Sequence, residues 1–123
     1  MSQPTAAPTT AIIILAAGKG TRMKSALPKV LHEVAGRPML GHAIAAAAEA
    51  GANQICLVTA PEQHAVRAYA LSEAPEIINC IQENQLGTGD AVRAAADAVS
   101  GVERVVVMFG DTPLMRADIL TQL

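Results

Sequence analysis

The 123-residue chain has room for one domain, since a single hydrophobic core is commonly built from roughly 100–150 residues. It is 51% apolar, but alanine supplies much of that and Tyr69 and Phe109 are its aromatic residues, so the core must close on small and aliphatic side chains. A net charge of -2 gives no sign of a nucleic-acid partner, and the apolar runs at 11–17 and 43–48 are far shorter than the ~20 residues that span a bilayer, so no membrane role is expected.

Residues 1–10 (MSQPTAAPTT) contain no Lys or Arg, lack the charged start of a signal peptide and are expected to form a disordered tail. Ala11–Ala17 is a continuous apolar run rich in β-branched residues and closed by Gly18, the pattern of a strand buried on both faces. From Pro38 to Ala50 the spacing predicts a helix, with Met39, Ile44, Ala47 and Ala48 on one side and Gly51 as its stop. Gln54–Thr59 reads as a second strand. Pro61 then opens a second helix that places Val66, Tyr69 and Ala70 on a common face. Pro75 breaks the chain before a third strand, Glu76–Gln82, and a third helix is expected from about Gly89 to Ala98. Arg104–Phe109 is a fourth apolar strand, and a further helix begins near Arg116.

This alternation of strand and helix, with short connections, predicts an α/β fold: a Rossmann-like, open, mostly parallel sheet with helices on both faces. Right-handed crossovers bring the strand ends to one edge, where ligands bind in such sheets. Cys56 and Cys80 lie in apolar stretches without metal-ligand spacing, which suits buried, reduced thiols and a cytoplasmic protein. His32, His42 and His64 share no ligand spacing either.

The charges are unevenly spread. No Asp or Glu precedes Glu33, whereas Lys19, Arg22, Lys24 and Lys29 all do, and a local cationic stretch on an acidic chain points to a small anionic ligand. Three segments following strands could receive it. In Leu15–Met23 (LAAGKGTRM), Gly18 and Gly20 allow a sharp turn whose N–H groups can surround an anion, with Lys19 and Arg22 adding charge and Lys29 expected on the same sheet edge. The string is neither a dinucleotide fingerprint, which would need Gly where Met23 stands, nor a Walker A loop. A plain strand-to-helix turn with solvated cations would have the same composition.

In Gln82–Asp90 (QENQLGTGD), amide side chains offer a donor and an acceptor together, the chemistry of a nucleobase edge, although a polar loop opening a helix also accounts for them. Asp111, in Phe109–Pro113 (FGDTP), falls just past a buried strand, where one carboxylate together with substrate phosphates suits magnesium. An Asp in a turn before proline is the plainer account.

Taken together, LAAGKGTRM, LPKVLHEVAGRPM, QENQLGTGDA and MFGDTPL resemble the sugar-phosphate nucleotidylyltransferase family, and within it the N-acetylglucosamine-1-phosphate uridylyltransferases. The molybdenum-cofactor guanylyltransferases share the style of the first loop but not the QLGTG element. The resemblance covers nearly all of 11–123 and implies the N-terminal, nucleotide-binding part of a nucleotide-diphospho-sugar transferase fold, truncated before the sheet is complete. It implies that Leu15, Ala16, Ala17 and Gly18 hold the nucleotide through their backbone, and that Arg22 and Lys29 meet its phosphates as the catalytic cations. It implies further that Gln82, Gly87 and Thr88 read uracil, that Phe109 and Gly110 line the ribose side, and that Asp111 binds Mg2+.

The implied substrates are UTP and N-acetylglucosamine 1-phosphate, and the implied products are UDP-N-acetylglucosamine and pyrophosphate, for peptidoglycan and lipopolysaccharide synthesis. The family's later segments supply most sugar contacts and a second metal ligand, so the 123 residues alone are expected not to turn over. An unpaired sheet edge would favour association into a homo-oligomer. Transfer from another nucleotide, or nucleotide binding without catalysis, stays open at this stage.

Overall fold

A computed structural model describes residues 9–16, 28–83, 88–99 and 101–110. Four parallel strands form the main sheet: β1 (Thr10–Leu15), β4 (Gln54–Thr59), β5 (Ile78–Ile81) and β6 (Arg104–Phe109), in the order β5-β4-β1-β6. The register pairs Leu15 with Val58 on one side of β1 and with Phe109 on the other. Among the described residues three α-helices accompany the strands, α1 (Met39–Glu49), α2 (His64–Glu73) and α3 (Thr88–Ala94). The expected Rossmann-like α/β sheet with helices on both faces is what the chain forms.

The two faces are built by alternate residues of the same strands, as the two-residue period of a strand requires. Ile12, Ile14, Leu57 and Met108 pack with Leu40, Ala43, Ile44 and Ala47 of α1 and with Val66 and Ala70 of α2. Ile13, Leu15, Cys56 and Val58 meet Ala91 of α3 and Ala95 just beyond it on the opposite face. Ile12, Ile13 and Ile14 are fully buried, and each such side chain contributes roughly 1.5–3 kcal/mol relative to exposure. Alanines at the contacts let helix and sheet approach closely, which is how a core with little aromatic content closes.

The order β5-β4-β1-β6 follows from crossover handedness. The first two connections run outward from β1 and put α1 and α2 on one face. The third returns across the sheet with α3 on the other. The direction of winding therefore reverses between β1 and β6, and that reversal opens a crevice at the carboxyl edge.

Several element limits differ from the sequence expectation, each for a local reason. β1 begins at Thr10, because Thr9 is already fastened: its carbonyl accepts from the N–H groups of Glu103 and Arg104 at 3.1 and 2.9 Å. α1 starts at Met39, after a Pro38 that is still extended, and it ends in a Schellman motif, with Gly51 N–H to Ala48 O at 3.1 Å and Ala52 N–H to Ala47 O at 3.4 Å. Pro61 does not open α2; it lies in a turn, and the helix begins at His64. β5 begins at Ile78 rather than Glu76, and α3 stops at Ala94, after which Ala95 and Ala96 bond three residues back in tighter turns. The helix expected from Arg116 lies outside the described residues.

One supersecondary unit has no counterpart in the sequence expectation. Between β1 and α1 the chain makes a 3-10 turn, Lys29–Leu31, and a short antiparallel hairpin of β2 (Glu33–Val34) and β3 (Arg37–Pro38). Its two central residues, Ala35 and Gly36, have φ of 55° and 80°, the left-handed pair of a tight hairpin turn. His42 of α1 holds the hairpin by donating from Nε2 to the Val34 carbonyl at 2.6 Å, which assigns its tautomer.

β6 also departs from expectation. Its apolar run is not buried on both sides, because α3 packs chiefly over β1 and β4, leaving Val105, Val107 and Phe109 exposed on that face. Among the described residues no helix is long and apolar enough to cross a membrane.

Candidate functional site

Because the four strands are parallel, their carboxyl ends share one edge, and this edge gathers the described site candidates. Leu15 ends β1 and is buried, as is Ala16 just after it. Phe109 ends β6 beside Leu15, half exposed at 50%, and Gly110 follows with its N–H donated to the Leu15 carbonyl at 2.9 Å. Gln82 follows β5 with its N–H on the Thr59 carbonyl at 2.8 Å, and it is buried. Two strand spacings separate β5 from β1, about 10 Å, a separation that accommodates the base and phosphate ends of one nucleotide.

Lys29 reaches this edge through its neighbour. Val30 is buried in the same cluster as Ile14 and Met108, so the 3-10 turn bearing Lys29 is packed against the end of β1 on the α1 face. Gly110 makes this packing fit: a Cβ there would lie 3.3 Å from Val30 Cγ1 and 3.4 Å from the Leu15 carbonyl oxygen. Gln82 continues the alternation of Ile78 and Cys80, which face α3. Lys29 and Gln82 thus share the edge but stand on opposite faces of the sheet.

Ala17, Gly18, Arg22, Gly87 and Asp111 lie outside the described residues. Thr88 is described as the first residue of α3 for its backbone alone. Asp111 follows directly on Gly110, so its place in the sequence is one residue past the bonded end of β6.

Two residues absent from the sequence reading stand at the same edge. Gln63, immediately before α2, accepts from the Ala60 N–H through Oε1 at 2.7 Å and donates through Nε2 to the Ala16 carbonyl at 2.9 Å. Arg67 donates through Nη1 to Thr59 Oγ1 at 2.7 Å and to the Ala60 carbonyl at 2.8 Å, and through Nη2 to the Pro61 carbonyl at 2.8 Å. Its Nη2 also lies 3.1 Å from His64 Nδ1. A polar amide placed between the end of a parallel strand and the next helix is the sequence signal that could have drawn attention to Gln63.

The thiols beneath the α3 side of the edge are not reactive groups. Cys56 is buried and Cys80 partly so, and neither is bridged. Burial, with Cys80 alongside, pushes the Cys56 thiol up to about 11, and burial raises Cys80 as well, so both stay protonated at neutral pH. Among the described residues no group of three or more His, Cys, Asp or Glu could hold a metal ion.

Comparison with known proteins places this edge in context. The family model described as MobA-like NTP transferase domain matches residues 12–123. The chain is 54% identical over 112 residues to the bifunctional protein GlmU of Parvibaculum lavamentivorans, covering 90% of this chain and 25% of that protein. It is 53% identical over 114 residues to the bifunctional protein GlmU of Trichlorobacter lovleyi, covering 92% of this chain and 25% of that one. The chain thus spans about a quarter of the length of these curated relatives. Among solved structures, a UDP-glucose pyrophosphorylase from Acinetobacter baumanii superposes with a TM-score of 0.70 at 25% identity, over 84% of this chain and 46% of that one.

Proposed function

Because the chain belongs to the family of MobA-like NTP transferase domains, we propose that its residues 11–123 are the nucleotide-binding part of a uridylyltransferase acting on UTP and N-acetylglucosamine 1-phosphate. The products are UDP-N-acetylglucosamine and pyrophosphate, and the setting is cytoplasmic. The observation that carries this reading is the convergence at one sheet edge of Leu15 and Ala16, Phe109 and Gly110, Gln82, and the turn bearing Lys29. Similarity to the bifunctional GlmU proteins supports the choice of nucleotide and sugar.

In this reading the Leu15–Gly18 backbone holds the nucleotide, and Arg22 and Lys29 meet its phosphates. Gln82, Gly87 and Thr88 read uracil, an amide being a group that carries both the donor and the acceptor a base edge requires. Phe109 and Gly110 line the ribose side.

A phosphate oxygen of the sugar phosphate attacks the α-phosphorus of UTP. The new P–O bond forms as the bond to the bridging oxygen breaks, and pyrophosphate leaves with that electron pair. The nucleophile is already an anion near neutral pH, so no general base is required. The work left to the protein is alignment of two polyanions and stabilisation of charge, which Lys29 and Arg22 supply as fixed cations.

A divalent cation fits the donor chemistry here, with magnesium our specific choice. One hard carboxylate, Asp111, next in sequence after Gly110, together with substrate phosphates, is a set magnesium accepts. Asp111 would hold the ion, whose charge would neutralise phosphate oxygens when bound.

The family description names NTP without specifying the base, so transfer from a different nucleotide is the second reading. Base preference in the Gln82→Ala variant separates the two. The variant should lose about tenfold in UTP affinity while pyrophosphate affinity holds within about twofold. Equal weakening of every phosphate ligand, measured by calorimetry, would contradict the base-reading role.

A further inference from the structure

We propose that Gln63 is a positioning residue that ends the β1–β4 ladder and fixes the Ala16 carbonyl at the nucleotide edge, an inference that rests on the proposed nucleotide site. The argument begins with the register. Ala16 donates its N–H to the Val58 carbonyl at 2.9 Å, which is a rung of a parallel ladder. In a parallel pair the next rung would join the Ala60 N–H to the Ala16 carbonyl directly. The Gln63 side chain stands in place of that rung. Its Oε1 takes the Ala60 N–H at 2.7 Å and its Nε2 gives to the Ala16 carbonyl at 2.9 Å.

A primary amide suits this place because it carries an acceptor and a donor on one rigid plane. Both backbone groups are satisfied while β1 and β4 are held apart at their ends. On the other side of β1 the pairing continues, with the Gly110 N–H on the Leu15 carbonyl at 2.9 Å. The end of β1 is therefore parted from β4 and kept on β6, toward the crevice at the winding reversal. Leu15 and Ala16 are the first of the residues implied to hold the nucleotide, so the place of the Ala16 carbonyl at this edge is fixed by Gln63.

Arg67 braces the device. The turn that carries Gln63 exposes the Ala60 and Pro61 carbonyls and the Thr59 hydroxyl, and one guanidinium binds all three. The Gln63 N–H adds a bond to the Ala60 carbonyl at 3.0 Å. Gln63 touches no reacting atom in this scheme. It acts through the Ala16 carbonyl.

Through-hydrogen-bond scalar couplings in labelled protein test the inference. In the parent, the Ala60 nitrogen should couple to the Gln63 side-chain carbonyl carbon, and the Gln63 amide nitrogen to the Ala16 carbonyl carbon. In Gln63→Ala the wedge is gone, and the Ala60 nitrogen should couple to the Ala16 carbonyl as the rung closes. UTP affinity, read by calorimetry on the same samples, should fall about tenfold, while a conservative Arg67→Lys change should fall between parent and Gln63→Ala. A parent lacking both side-chain couplings overturns the inference even if the variant fails to fold. So does a closed rung with unchanged UTP affinity. A parent that binds no nucleotide instead removes the proposed function, and the couplings alone then decide whether the wedge exists.

Discussion

At the scale of single residues, burial decides what the polar and titratable groups can do. Cys56 of β4 is fully buried on the α3 face of the sheet, and its thiol is raised from 9.0 to about 11, first by desolvation and then by Cys80. A raised folded value means that the stability tied to the protonated thiol is present in full below pH 9. It is then lost as pH climbs through 11, because the unfolded chain releases its proton first. Urea unfolding from pH 8 to 11 should show the parent losing on the order of 2 kcal/mol more than Cys56→Ala over that window. Identical pH slopes would contradict it.

Residue by residue, legibility followed the chemistry of chain ends. Leu15, Phe109 and Gln82 could be read because each closes an apolar run, where a parallel sheet presents ligands. Gln63 and Arg67 could not. They sit in a polar stretch that reads as an ordinary helix start, and the Gln63 amide reaches a backbone carbonyl 47 residues away in sequence.

Strands and helices were legible to the extent that their patterns were internal to a segment. β4 and β6 have the limits the sequence suggests, since each apolar run is bounded by polar or turn residues. Helix starts were missed by up to three residues: proline marks a place where a helix can begin, but at Pro61 the chain spends a turn placing Gln63 and Arg67 first. The hairpin between β1 and α1 was hidden because its turn is Ala-Gly rather than the Asn-Gly or Asp-Gly that announces such a turn. Ala35 consequently holds φ of 55° with a Cβ that disfavours it. Ala35→Asn should raise stability by about 0.5–1 kcal/mol, because Asn tolerates that conformation. Thermal unfolding reads this directly, and a lower midpoint in the variant would show that Ala35 is not strained.

For the molecule as a whole, the fold class was the most legible feature and the covering of the sheet the least. Regular alternation of strand and helix dictates a parallel sheet with crossovers of one hand, and the order β5-β4-β1-β6 follows once α3 takes the opposite face from α1 and α2. Which parts of the faces are covered depends on how far each helix reaches, and no local pattern encodes that. An apolar run such as Arg104–Phe109 looks the same whether or not a helix lies over it. In the folded chain Val105, Val107 and Phe109 stay open because α3 packs chiefly over β1 and β4. That open surface adjoins the carboxyl edge where the winding reverses between β1 and β6, so the proposed nucleotide edge is formed by strand ends already fixed within this chain.

The central claim is that these strand ends bind a uridine nucleotide with a divalent cation, and calorimetry of this chain against UTP, CTP, GTP and ATP, with and without magnesium, tests it most directly. The account predicts saturable binding of UTP that requires magnesium and is at least about tenfold tighter than for the other three. Equal affinity for all four, or UTP binding indifferent to magnesium, would contradict it.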